Sequence, residues 1–116
     1  MSDLKLYGIS NCDTVRKARK WLSGHSIDYT FHDFHKQGLD EKTLESWIAK
    51  VGWTLLLNRR GTTWRKLPKT ERADLDEAKA RILMLTYPAL IKRPVLVGEG
   101  QLLVGFDESK YQEIIP

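Results

Sequence analysis

The sequence predicts a single α/β domain over residues 1–116, with a mixed sheet, helices on both faces and a helical insert at about 38–87. Three observations carry this expectation. Residues 4–34 read strand, helix, strand, the pattern of a parallel βαβ unit. Residues beyond Pro94 read strand, tight turn, strand, helix. Between them lies a helix-rich stretch with no linker, internal repeat or low-complexity tract.

Each element has its own signal. LKLYGI, from Leu4 to Ile9, alternates apolar and polar residues and meets Gly8, so a short strand ends near Tyr7. Asn11, Cys12, Asp13 and Thr14 then supply capping residues, and Val15, Ala18, Trp21 and Leu22 fall at helical spacing up to Gly24. The helix is predicted over Asp13 to Ser23, with Cys12 at its N-terminus and Asn11 as the expected cap. Ile27 to Phe34 alternates again and predicts a second strand. Gly38 breaks the chain. Asp40 then caps a helix carrying Leu44, Trp47, Ile48 and Val51, and Trp53 to Leu57 is a short apolar run able to continue it. Arg59 to Leu67 reads as a basic loop. Asp76 to Leu85 predicts a helix with Ala78, Ile82 and Leu85 inward, ended by Pro88. PVLV after Pro94 and QLLV after Gly100 form a hairpin through Gly98–Gly100. A last helix is predicted from Asp107 to Ile115. The order βαβ, helical insert, ββα resembles a thioredoxin-type sheet.

Composition narrows the function. Hydrophobic residues make up 41% and charged residues 29%, which excludes a disordered chain. No run approaches the about 20 apolar residues that span a bilayer, and no leader-like pattern opens the chain, so a cytoplasmic protein without a membrane partner is expected. The net charge of +4 is mild and the charges are interspersed, which suits a small anionic substrate on a basic surface better than a nucleic acid. Trp21, Trp47, Trp53 and Trp64 are expected in the core or a groove and not as a base-stacking platform. His25, His32 and His35 form no metal spacing with Cys12, and no metal is expected.

There is one cysteine, so no internal disulfide exists. A free cysteine is often a small buried hydrophobe. Cys12, however, sits in the polar strand-to-helix turn GISNCDT, a poor place for a core residue. The first turn of a helix offers free N–H groups and about half a positive charge, which favours thiolate. Arg16, one turn on, would add to this, and Asp13 would oppose it. Ser10 and Asn11 are candidates to donate hydrogen bonds to the thiolate or a bound anion.

YGISNCDTVRKARKWL, LLNRRGTTWRKL, IKRPVLV and GFDESKY together resemble the arsenate reductase (ArsC) family, which includes the Spx regulators, and most of all its small YffB-like branch. The resemblance covers almost the whole chain. It implies a thioredoxin-like fold with a helical insert, a catalytic Cys12, and a cis peptide bond before Pro94. It also implies arginines that hold an oxyanion: Arg93, and one in the middle segment. Gapless matching puts the latter at Asn58; the Spx-like register puts it at Arg60, which we favour, with Arg59 as a further candidate. Taken singly, such arginines are usually solvated surface charges. A third family arginine would fall near Gly105, where none stands, so the anion site is one arginine short of an arsenate reductase.

The residue three positions after Cys12 is Val15, so the Cys-X-X-Cys pair of thioredoxins and many Spx proteins is absent. A mixed disulfide on Cys12 would need an external thiol to resolve it. Glutathione is the expected co-substrate, its carboxylates matching Arg60 and Arg93, with glutaredoxin as a candidate partner and no bound cofactor. The expectation is a monomeric glutathione-dependent thiol reductase. The alternatives are an arsenate reductase or an Spx-like adaptor that binds RNA polymerase.

Overall fold

The computed structural model describes residues 4–98 and 100–114. The chain forms two compact units: residues 1–37 with 93–116, and residues 38–92.

The first unit carries the sheet. Strand β1 (Lys5–Gly8) is followed by helix α1 (Asp13–Gly24), strand β2 (Thr30–Asp33) and a single turn of helix, α2 (Phe34–Gln37). After the second unit come β3 (Val95–Gly98), β4 (Gln101–Val104) and α8 (Glu108–Ile114). The strand order is β2-β1-β3-β4, with β1 parallel to β2 and antiparallel to β3, and β3 antiparallel to β4. This is the expected thioredoxin-like α/β architecture. The βαβ crossover imposes the parallel pair, and the short connection from Gly98 to Gln101, with Gly100 at φ +73°, goes with the antiparallel one. The predicted turn includes Glu99, and the predicted last helix includes Ile115; both lie outside the described residues.

The core of this unit follows from strand and helix periodicity. Leu6 and Leu96 face Ala18, Trp21 and Leu22 of α1 and Tyr111 of α8, with Ile27, Tyr29, Phe31, Leu103 and Phe106 packed around them. The Trp21 and Tyr111 rings meet edge to face at 5.6 Å. Alternation places Tyr7 on the opposite face of β1 from Leu6, where its ring lies 4.7 Å from that of His32.

One close approach sets where α1 begins. A Cβ built on Gly8 would lie 2.7 Å from Cγ2 of Val15, a buried residue whose branched side chain has no easy way to yield. We expect Gly8→Ala to cost about 1–3 kcal/mol by overpacking, measured as a drop in the urea midpoint at constant slope.

β2 is shorter than predicted. The Ile27 amide still bonds to the Leu22 carbonyl at the helix end (3.0 Å), so pairing begins only near Thr30. After Asp33 the chain winds into α2, because the Asp33 carboxylate accepts the His35 amide at 2.8 Å, an Asx-type turn that overrides the strand pattern.

The second unit is helical: α3 (Glu41–Val51), α4 (Trp53–Leu56), α5 (Thr62–Lys66), α6 (Lys69–Arg72) and α7 (Glu77–Thr86), then a 3-10 turn, Pro88–Leu90. Asp40 and Asp76 cap α3 and α7 through the Thr43 and Lys79 amides. α3 packs on α4 and α7. Two expectations are corrected. The Arg59–Leu67 loop contains α5, a short helix with no buried residue and hence no apolar period to betray it. In α7 the inward residues are Ala80, Leu83 and Met84; Ala78 is exposed, Leu85 half-buried and Ile82 60% exposed. Apolar residues fall on several sides of the helix, so the stripe was placed on the wrong side.

Candidate active site

β1 delivers the chain to the site. Ile9 is buried and anchors the turn, whereas Ser10 and Asn11 are exposed. The Cys12 amide bonds to the Ile9 carbonyl (3.3 Å), and the Cys12 carbonyl accepts the first helical bond from Arg16 (2.9 Å). Cys12 is therefore itself the N-cap, extended at φ −104°, ψ 128°. This corrects the capping role expected of Asn11: one residue further on already has its carbonyl inside the helix ladder.

Cys12 is half-buried. Burial pushes its thiol up, but the Val15 amide, the Arg93 guanidinium acting as donor and as charge, and the Thr14 amide together outweigh it. The net result lies below the ordinary cysteine value. The amides at the start of the helix favour the thiolate. The alkylation rate of Cys12 by iodoacetamide is accordingly expected to rise with pH at a midpoint below that of a free cysteine measured alongside. A midpoint at or above that value contradicts this arrangement.

Arg93 reaches the site because of strand register. β3 runs antiparallel to β1 with Val95 opposite Tyr7, so residues 93 and 94 lie where β1 hands over to α1. The Arg93–Pro94 bond is cis, Pro94 is buried, and its carbonyl accepts the Gly105 amide at 2.8 Å. Arg16 pairs with Asp13 on the exposed first turn of α1, so each partner occupies the other's charge. The cation acting on the sulfur is Arg93.

Arg59 and Arg60 belong to the second unit and are exposed. The Arg59 guanidinium sits 5.8 Å from the rings of both Trp53 and Trp64. The Asn58 side chain accepts the Arg60 amide at 3.0 Å, and the Arg60 carbonyl accepts Arg65 at 2.8 Å. Within this unit Asn58, Arg59, Arg60, Thr54, Leu57 and Lys92 line a cavity of about 530 Å³. Sequence reasoning passed over Lys92 and Thr54. The signal for Lys92 was its place beside Arg93; Thr54 gave none. Gly105 adopts φ +83°, a conformation that an arginine there would adopt only with strain.

Among the described residues no cluster of three or more His, Cys, Asp or Glu is arranged to hold a metal ion. No helix there is long and apolar enough to cross a membrane.

The chain is similar to known proteins. The sequence profile of the ArsC family matches residues 7–114. An uncharacterized protein of Haemophilus influenzae is 43% identical over 94% of this chain and 96% of its own. The global transcriptional regulator Spx 2 of Bacillus cereus is 27% identical over 96% of this chain and 86% of its own. Among solved structures, the YffB protein superposes with a TM-score of 0.94 at 50% identity, covering 97% of this chain and 99% of that one. An arsenate reductase (ArsC) related protein from Brucella melitensis gives 0.76 at 53% identity, covering 96% and 92%.

Proposed function

The chain belongs to the ArsC family, and from that premise we propose that it is a glutathione-dependent thiol reductase working through the single nucleophile Cys12. The observation that carries the reading is a cysteine at a helix N-cap whose thiolate is favoured by free amides and by Arg93. The Cys12 thiolate attacks one sulfur of a glutathione mixed disulfide, R–S–S–G. The S–S bond breaks, Cys12–S–S–G forms, and R–S⁻ leaves to take a proton from solvent. A second glutathione thiolate then attacks the glutathione sulfur, releasing oxidised glutathione and restoring the Cys12 thiolate. In sum R–S–S–G and one glutathione thiol give R–SH and oxidised glutathione: one disulfide is broken, one is formed, and the electrons balance. Arg93 is assigned to a carboxylate of the bound tripeptide, with Ser10 and Asn11 as lesser donors.

Exposure to glutathione disulfide followed by intact-mass spectrometry tests this. One glutathionyl group on Cys12, removed by free glutathione, is the expected result. A protein that never takes up the group defeats the reading.

The adaptor reading draws on the Spx relatives. It lacks the usual second cysteine, since position 15 is Val15. Capture of RNA polymerase by the purified protein would favour it, and the reductase reading expects no complex. Arsenate as substrate has less support, because Gly105 stands where a third arginine would be needed.

A further inference from the structure

Helix α1 carries its charge against local advantage. Arg16, Lys17, Arg19 and Lys20 stand on it with Asp13 as the one acid, although the first unit as a whole has as many acidic as basic residues. Its last turn, where the helix dipole favours cations, holds none. Arg16 and Lys20 are four positions apart and Lys17 and Lys20 three apart, spacings at which like charges repel. A surface selected for stability alone intersperses the signs. A local rule broken without local gain points to function.

Arg19 is used inside the fold. Its guanidinium donates to the Tyr29 hydroxyl at 3.1 Å and lies 4.1 Å from the centre of the Phe31 ring. Lys17 and Lys20 are exposed. Among the described residues the ion pairs are Arg16–Asp13 and Arg81–Glu41, so neither lysine has an acidic partner. Val15, Ala18, Trp21 and Leu22 fill the buried side of the helix, which leaves Arg16, Lys17 and Lys20 together on the outer one. Cys12, Arg16 and Lys20 follow at intervals of four along one ridge, with Lys17 beside it. At the helical rise, Arg16 lies about 6 Å and Lys20 about 12 Å beyond Cys12 along the axis. A disulfide brought to Cys12 therefore has its neighbouring groups laid along a cationic ridge of the same unit.

We propose that the face of α1 bearing Arg16, Lys17 and Lys20 docks acidic proteins, and that the R of R–S–S–G is a protein cysteine flanked by carboxylates. The inference rests on the reductase reading for its chemistry. The Cys12 thiolate attacks the glutathionyl sulfur, the mixed disulfide breaks, Cys12–S–S–G forms, and the protein thiolate leaves to take a proton from solvent. A glutathione thiolate then frees Cys12, and oxidised glutathione departs. Carboxylates beside a cysteine raise its pKa and make it a poor leaving group, and cations beneath them counter that effect. The ridge thus selects the substrate and eases its departure. A nucleic acid fits less well: three cations neutralise few phosphates, and it offers no sulfur to Cys12.

Three glutathione mixed disulfides test this with the full protein. One is formed on a peptide with Asp and Glu close to its cysteine, one on the same peptide with Lys at those places, and one on 2-mercaptoethanol. For the wild type, kcat/KM at low salt should be at least about tenfold higher for the acidic peptide than for the basic one, the gap shrinking as salt is added. In Lys17→Glu/Lys20→Glu that preference should vanish while the 2-mercaptoethanol disulfide is turned over as before. Lys17→Arg/Lys20→Arg should keep it. Both lysines are exposed, and an acid at position 20 would stand four residues after Arg16, so the helix is expected to hold; a thermal melt checks this. Equal turnover of the two peptides by the wild type overturns the proposal whatever the variants do. An acidic preference that survives in Lys17→Glu/Lys20→Glu also overturns it, as does tighter binding of duplex DNA than of the acidic peptide at the amides of residues 16–20. If none of the three substrates passes a glutathionyl group to Cys12, the reductase reading fails instead. The acidic peptide with serine in place of its cysteine, titrated by NMR, then still decides the docking face: shifts at residues 16–20 uphold it and their absence removes it.

Discussion

Cys12→Ser is expected to take disulfide reduction down to the uncatalysed background, a loss of about 10³-fold or more. The reason is chemical. The serine hydroxyl stays protonated across the working range even beside Arg93, and an alcohol oxygen cannot exchange into a disulfide. The helix and its cap should survive, because serine is a good N-cap whose oxygen can accept from the same first-turn amides. A steady-state assay with a small mixed disulfide and glutathione, paired with a thermal melt, checks both halves. A folded variant with substantial residual turnover would mean that the sulfur is not the nucleophile.

Arg93→Ala carries the second largest effect. Arg93 acts on Cys12 in two ways, as hydrogen-bond donor and as charge, and both lower the thiol pKa. Without it burial weighs more heavily, so the alkylation midpoint moves up. A thiol of depressed pKa loses its thiolate as pH falls through that pKa, so the fold-deficit of the variant is greatest on the acid side of the wild-type midpoint and fades in alkaline solution, where even the variant ionises. Turnover at pH 7 is expected to fall about ten- to a hundredfold, the cost of one charge-assisted contact to a partly buried group. Arg93→Lys should recover the charge but not the planar fork, and so only part of the rate. An unmoved midpoint in Arg93→Ala would separate the guanidinium from the sulfur.

The parts of the fold that follow from local pattern were legible in the sequence. β1, α1 and the β3–β4 hairpin each combine a clean period with a stop signal, and Val15, Ala18, Trp21 and Leu22 are the residues α1 buries. What failed was decided by contacts outside the local window. α5 has no buried face, so no period marks it. The orientation of α7 depends on what it packs against, and its sequence offers apolar residues on several sides. At the site, the strand-to-helix position of Cys12 could be read directly. The cap could not: side-chain oxygens dominate capping preferences, which pointed to Asn11. Arg93 lies far from Cys12 in sequence, and only the antiparallel register of β3 on β1 brings them together. Lys92 escaped notice because its pocket is closed by backbone bonds between two segments that no spacing rule connects.

Val15, three residues after Cys12, lies completely buried against Gly8. Replacing it with cysteine would hollow out the seam between strand and helix and leave a sulfur enclosed beneath the first turn. A two-thiol descendant would therefore need compensating changes at Gly8 as well. Until then the protein has no dithiol couple and no midpoint potential of its own. Its oxidation state at any moment can only mirror the thiol pool around it.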